Sequence, residues 1–204
     1  MPPRPAATAS DADLKRHRNR EQARRAILDA TESILVENGG EFSMRTLVSE
    51  CGYTAPTIYH YFGDKEGLVD ALLEERFARL LARVQRVEQG SDPVVNMKRM
   101  AEAFLRFTRQ NLDFYRYILT GGNGRDRTPP SAEAAREIME APLRQLEREK
   151  RLRDTDGETA GQALWALLHG LNALQLSRPD FPWSRDLFDI SFDALLRGLL
   201  RDGG

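Results

Sequence analysis

Between Thr54 and Tyr61 the chain sets Thr54, Thr57, Tyr59, His60 and Tyr61 behind the compact pair Ala55 and Pro56. The set lacks a nucleophile–base pair, a metal-ligand spacing and a glycine-rich phosphate loop, so it points away from catalysis. It offers hydroxyls and an imidazole for phosphate oxygens and base edges, and small apolar surface suited to a thymine methyl group. Arg45 lies upstream, with the planar fork that reads guanine. Lys65 lies downstream, at a helix start where a phosphate is also favoured. These residue types point to recognition of double-stranded DNA.

Those residues need a scaffold. Ser43 is a suitable N-cap for a short helix through Glu50, and Gly52 supplies a turn where positive φ is expected. Thr54 caps the next helix and places Ala55 and Pro56 in its first turn, where proline costs no hydrogen bond. Ile58 and Phe62, four residues apart, are expected to point inward, leaving Thr57, Tyr59, His60 and Tyr61 to other directions. A helix–turn–helix of this size is the shape that enters a major groove. Ahead of it, Ala23, Ala26, Ile27, Ala30, Ile34 and Leu35 recur at helical spacing from Asn19, and Gly39-Gly40 stop that helix.

The 204 residues carry a formal charge of -1, are 41% hydrophobic and 30% charged, and suit a folded soluble protein. The near-neutral total hides a local excess. From Leu14 to Arg25, Lys15, Arg16, Arg18, Arg20, Arg24 and Arg25 face Glu21 alone. Such a strip can touch phosphates; it is equally an ordinary solvated face. No apolar run is long enough for a membrane span and no signal peptide is read, so a cytoplasmic protein is expected. The single cysteine, Cys51, excludes an internal disulfide and reads as a small buried hydrophobe.

Past Asp64 the pattern stays helical. A long helix over 64–89 is followed by segments at about 94–110, 113–119, 131–151, 157–176 and 184–200. A mobile arm over 1–13 and a mobile Gly- and Pro-rich loop over 121–130 complete the picture. The fold class is all-α, with about nine helices.

Glu41-Phe42-Ser43-Met44-Arg45, Gly52 through Phe62 and Lys65-Glu66-Gly67-Leu68 resemble the DNA-binding domain of TetR-family bacterial transcriptional regulators. Leu164-Trp165-Ala166-Leu167-Leu168-His169-Gly170-Leu171 resembles the Trp-x-x-x-His-Gly signature of one class of that family's C-terminal domains. The resemblance implies a basic arm (1–19), a DNA-binding domain (20–66) and a helical regulatory and dimerisation domain (67–204). It implies Arg45 for base contact and Thr57, Tyr59 and Lys65 for backbone contact; His60 occupies a variable position. Thr54, Ala55, Pro56 and Tyr61 complete the expected contact set.

Each has a plainer reading. Tyr61 can be core, Lys65 solvated, and Arg45 paired with Glu41 or Glu50.

Phe104, Phe107, Phe114, Tyr115, Tyr117 and Trp165 concentrate aromatic surface in the C-terminal part. Phe104, Phe107, Phe114, Tyr117, Trp165 and His169 are the candidates for lining a cavity for a small apolar or amphipathic ligand. Ordinary packing is the competing reading, and His169 is more readily a hydrogen-bonded core histidine than a metal ligand. No metal or other cofactor is expected. Leu164, Leu167, Leu168 and Leu171 on one helix, with Leu195 and Leu199 on the last, are candidates for a twofold four-helix interface.

The expected function is a homodimeric repressor released from a palindromic operator by a ligand, with the helix over 64–89 transmitting the change. The alternative is a regulator without an effector, controlled by abundance or a protein partner.

Overall fold

The computed structural model describes residues 11–38, 41–119 and 128–201. Among the described residues there are nine α-helices, and the only β pairing is an isolated antiparallel bridge between Leu152 and Leu200. The all-α reading holds. Two compact units part between Leu72 and Leu73.

The first unit holds α1 (Asp11–Glu37), α2 (Met44–Cys51), α3 (Ala55–Phe62) and the start of α4 (Lys65–Gln85). Its core is Ile27, Leu28, Leu47, Ile58 and Leu68, all buried almost completely. The α1 helix starts well before Asn19. Residues 14–22 are exposed on every side, so they carry no apolar period to read, while Leu, Lys, Arg, Glu and Gln sustain a helix by propensity. The expected arm is therefore helix over residues 11–19; residues 1–10 lie outside the described residues, as do Gly39-Gly40 and 121–127 of the expected loop.

Ser43 caps α2 by accepting from the Thr46 amide at 3.1 Å, and Gly52 follows at φ 72. Thr54 caps α3 through the Thr57 amide at 3.4 Å. Asp64 then accepts from the Gly67 amide at 2.6 Å and so starts α4. These caps fix where each short helix begins, because neither helix is long enough to persist on its own.

The second unit contains the rest of α4 with α5 (Pro93–Gln110), α6 (Leu112–Leu119), α7 (Pro130–Arg148), α8 (Gly157–Ser177) and α9 (Leu187–Leu199). Helix α5 packs on α6, α7 and α8, and α8 packs on α6, α7 and α9. Met97, Met100, Phe104, Leu143, Leu146, Leu168 and Phe192 fill the centre.

Two of these helices differ clearly from the expected boundaries. Helix α4 ends at Gln85, where the Arg86 and Val87 amides turn back to the carbonyls of Arg83 and Val84 and close it early. The connection beyond is clipped by Asn96, which bonds both the amide and the carbonyl of Gly90 at 2.8 Å. The last helix starts at Leu187, because Ser184 accepts from the Asp186 amide and forms a turn.

Ser131 does not cap α7; Pro129 holds that position without a side-chain bond. Ser131 instead donates its amide to Glu74 at 3.1 Å and its hydroxyl to the other Glu74 oxygen. A carboxylate from α4 thus satisfies an orphan donor at the α7 N-terminus.

Candidate functional site

In the first unit, Ile58 is buried while Thr54, Pro56, Tyr59 and His60 are exposed and Ala55 and Thr57 half-buried. Ile58 anchors the helix, and Pro56, Tyr59 and His60 face outward around it. The Thr54 and Thr57 hydroxyls lie 2.9 Å apart. The His60 ring meets Tyr61 edge-on at 5.7 Å.

Tyr61 and Phe62 are both half-buried beneath α1: the Arg20 guanidinium lies 6.0 Å from the Tyr61 ring centroid and that of Arg24 5.5 Å from the Phe62 centroid. Phe62 is thus not the sealed anchor that its spacing from Ile58 suggests. Eight residues make barely two turns, so only their centre is fully covered.

Arg45, in the first turn of α2, is exposed and takes part in none of the ion pairs among the described residues. Lys65 is exposed, and its ammonium lies 4.7 Å from the centroid of the buried Phe42 ring. That contact holds a cation beside the α3–α4 turn. Cys51 is half-buried, with its sulfur 4.0 Å from the Tyr53 carbonyl.

The second unit holds a partly open cavity of about 220 Å³. Phe104, Phe107, Phe114, Trp165 and His169 line it, as do Phe77 and Leu80 of α4. Tyr117 is buried and does not line it; Tyr115 does. Three-residue spacing pairs Phe114 with Tyr117 on one helix face, whereas the cavity opens on the Phe114–Tyr115 side of α6. Met139, Glu133 and Arg136 also line it, and their spacing on α7 gives no signal until that helix is oriented.

The polar end of the cavity is built from α6 and α8. The Tyr115 hydroxyl lies 2.8 Å from His169 Nδ1 and 3.5 Å from the His169 carbonyl oxygen. Burial pushes the Tyr115 phenol up to about 12, with Asn172 working in the opposite sense, and pushes the His169 imidazole down to about 4. His169 is therefore neutral at ordinary pH. Its Nε2 is buried and, among the described residues, meets no hydrogen-bond partner. Trp165 stacks on the imidazole at 4.3 Å and 27°.

Arg136 donates to both Glu140 oxygens at 2.8 and 2.9 Å and also pairs with Glu133. Its guanidinium holds the Glu133 carboxyl below the usual range.

The six leucines fall into two groups. Leu164, Leu168 and Leu171 are buried within the chain itself, so they are core and not free for a second copy. Leu164 and Leu168 lie beside Met139 and Leu143 of α7, a choice of face that leucine spacing on an apolar-rich helix leaves undecided. Leu167, Leu195 and Leu199 stay half-buried. Leu174 on α8 is 49% exposed and Ile190 on α9 61%. A Cβ added at Gly170 or Gly198 would meet nothing within 4 Å.

Among the described residues no group of three or more His, Cys, Asp or Glu is arranged to hold a metal, and no helix is long and apolar enough to cross a membrane.

The family description "Bacterial regulatory proteins, tetR family" matches residues 27–72, and "Tetracyclin repressor-like, C-terminal domain" matches residues 97–199. The chain is 29% identical over 164 residues to the nucleoid occlusion factor SlmA of Escherichia coli, covering 78% of this chain and 80% of that protein. Among solved structures it is similar to a Rhodococcus sp. RHA1 protein of unknown function. The TM-score is 0.70 and the identity 22%, covering 98% of this chain and 100% of that one. It also resembles the TetR family transcriptional regulator PfmR of Thermus thermophilus, with TM-score 0.63 and identity 24%, covering 86% and 99%.

Proposed function

The chain belongs to the tetR family of bacterial regulatory proteins, DNA-binding regulators and not enzymes, and from that premise we propose a homodimeric repressor that leaves a palindromic operator when a small molecule fills the cavity. The observation that carries this reading is the aromatic cavity itself, closed on one side by Phe77 and Leu80 of α4. The division between the two units falls within that helix. A ligand that prefers one setting of α4 shifts the population toward it, in proportion to its differential affinity.

In this reading α3 enters the major groove, one copy per half-site. Arg45 contacts a base. Thr54, Thr57, Tyr59 and Lys65 contact the phosphate backbone, and Ala55 and Pro56 meet a thymine methyl group. His60 and Tyr61 flank the same surface, and the basic face of α1 reaches neighbouring phosphates. Leu167, Leu195 and Leu199, with exposed Leu174 and Ile190, form the dimer contact. The Trp165, His169 and Gly170 run supports placing the C-terminal region in the Trp-x-x-x-His-Gly class.

Fluorescence anisotropy against the DNA upstream of the protein's own gene, with scrambled DNA as control, tests the regulator. Tight, sequence-dependent binding is expected, weakened about ten-fold or more by Arg45→Ala and less by Tyr59→Phe. Equal affinity for both DNAs would leave only electrostatic attraction. A regulator without an effector is the second reading, favoured by the likeness to a protein named for nucleoid occlusion rather than for a ligand. It requires that no molecule occupying the cavity alter operator affinity.

A further inference from the structure

Taking the cavity as the ligand site of the proposed regulator, we infer that it accepts an elongated apolar molecule whose length is set by Trp165, the side chain that parts the cavity from a shallow hollow between α7 and α8.

The hollow holds about 20 Å³ and is bordered by Glu140 and Leu143 of α7 and by Gly161, Leu164 and Leu168 of α8. Arg136, Met139 and Trp165 border it too, and the same three border the cavity of about 220 Å³. The boundary between the two spaces is therefore made of these side chains. Arg136 is held by Glu133 and by both oxygens of Glu140, and Met139 is buried. Trp165 differs from both. Its indole stacks on His169 at 4.3 Å and lies 6.4 Å from Phe104, yet the residue is 47% exposed. A ring of that size stops a molecule that extends from the cavity toward the hollow.

The lining calls for an apolar body. The Thr108 hydroxyl donates to the Leu105 carbonyl at 3.0 Å, and the Tyr115 hydroxyl lies 2.8 Å from His169 Nδ1. The Arg136 charge is met by Glu133 and Glu140. A polar group on the ligand would have to displace one of these contacts, whereas a hydrocarbon displaces none. Phe104, Phe107, Phe114 and Trp165 favour a flat conjugated molecule among them. An apolar cavity of about 150 Å³ is enough for benzene, so about 220 Å³ suits two rings.

Gly161 leaves the hollow open beyond Trp165. A Cβ added there would stand 3.5 Å from Glu140 Cγ, an ordinary contact, so a side chain can be placed in the hollow without a main-chain clash.

Fluorescence titration of the full chain with three apolar rods of one cross-section tests this. The probes are trans-stilbene, 1,4-diphenylbutadiene and 1,6-diphenylhexatriene. The natural protein is expected to bind stilbene at least as tightly as the hexatriene, against the order of their hydrophobicity. Trp165→Ala should raise hexatriene affinity relative to stilbene about ten-fold, because the added length is then buried. Trp165→Phe should give part of that gain. Gly161→Leu added to Trp165→Ala should cancel most of it by refilling the hollow. Of the two tryptophans, Trp183→Phe leaves only Trp165, and stilbene should quench its emission.

An unchanged ratio in Trp165→Ala overturns the inference, as does a gain that survives Gly161→Leu. Tightest binding of the hexatriene to the natural protein, unquenched Trp165 emission, or absence of binding by all three overturns it as well. Operator binding measured on the same samples separates these failures from failure of the regulator reading.

Discussion

His169 shows how position decides what a residue can do. Its ring is mostly withdrawn from water, and the cost of charging it there lowers its pKa from the ordinary 6.5 to about 4. The sign of the consequence is set by the unfolded chain, which takes up a proton on this ring below pH 6.5 while the folded protein does not until about pH 4. Stability from the neutral buried ring is present above about pH 6.5 and is lost as the pH falls toward 4. Relative to His169→Gln, the natural protein should lose about 1–2 kcal/mol between pH 7 and 4.5, allowing for the part of the ring that water reaches. Urea unfolding of both proteins at the two pH values measures this. Parallel losses would mean that the imidazole is not withdrawn from water.

At the scale of elements, the caps and turns around α2 and α3 are local and cheap to read. Ser43, Gly52 and Thr54 act on amides within three residues of themselves or on their own φ, so residue type and order suffice. The α3–α4 junction is different. A Cβ at Gly67 would stand 2.0 Å from the Phe62 carbonyl oxygen, a main-chain atom that cannot rotate aside. At Gly52 a Cβ would meet nothing, and only the positive φ resists it. Gly52→Ala should therefore cost about 1 kcal/mol. Gly67→Ala should cost more than about 2 kcal/mol or displace α3. Circular dichroism through a urea titration compares them, and equal costs would remove the steric argument for Gly67.

At the scale of the whole molecule, the apolar surface left over after folding carries the dimer proposal. Leu174 and Ile190 are large, apolar and about half or more exposed, and Gly170 and Gly198 leave α8 and α9 bare on one side. Such a surface fits a self-complementary contact between two copies. Leu174→Asp combined with Ile190→Asp should halve the mass seen by light scattering while leaving helix content intact, and should weaken operator binding with it. An unchanged mass would move the contact elsewhere.

The amino-acid order alone determined the all-α class, the caps of α2 and α3, the left-handed turn at Gly52 and the outward set on α3. Each depends on propensity, on a hydrogen bond across a few residues, or on a period within one helix. It also concentrated the aromatic residues that came to surround the cavity, Phe104, Phe107, Phe114 and Trp165 among them. Only tertiary structure decided which face of each apolar helix is covered. Leu164, Leu168 and Leu171 went to the core, whereas Leu167 and Leu174 of the same helix did not. Tyr115 took the cavity position in place of Tyr117, and Ser131 bonds Glu74, far away in sequence. Those outcomes depend on how helices are oriented about one another, and a periodic pattern specifies a face without specifying the neighbour that meets it.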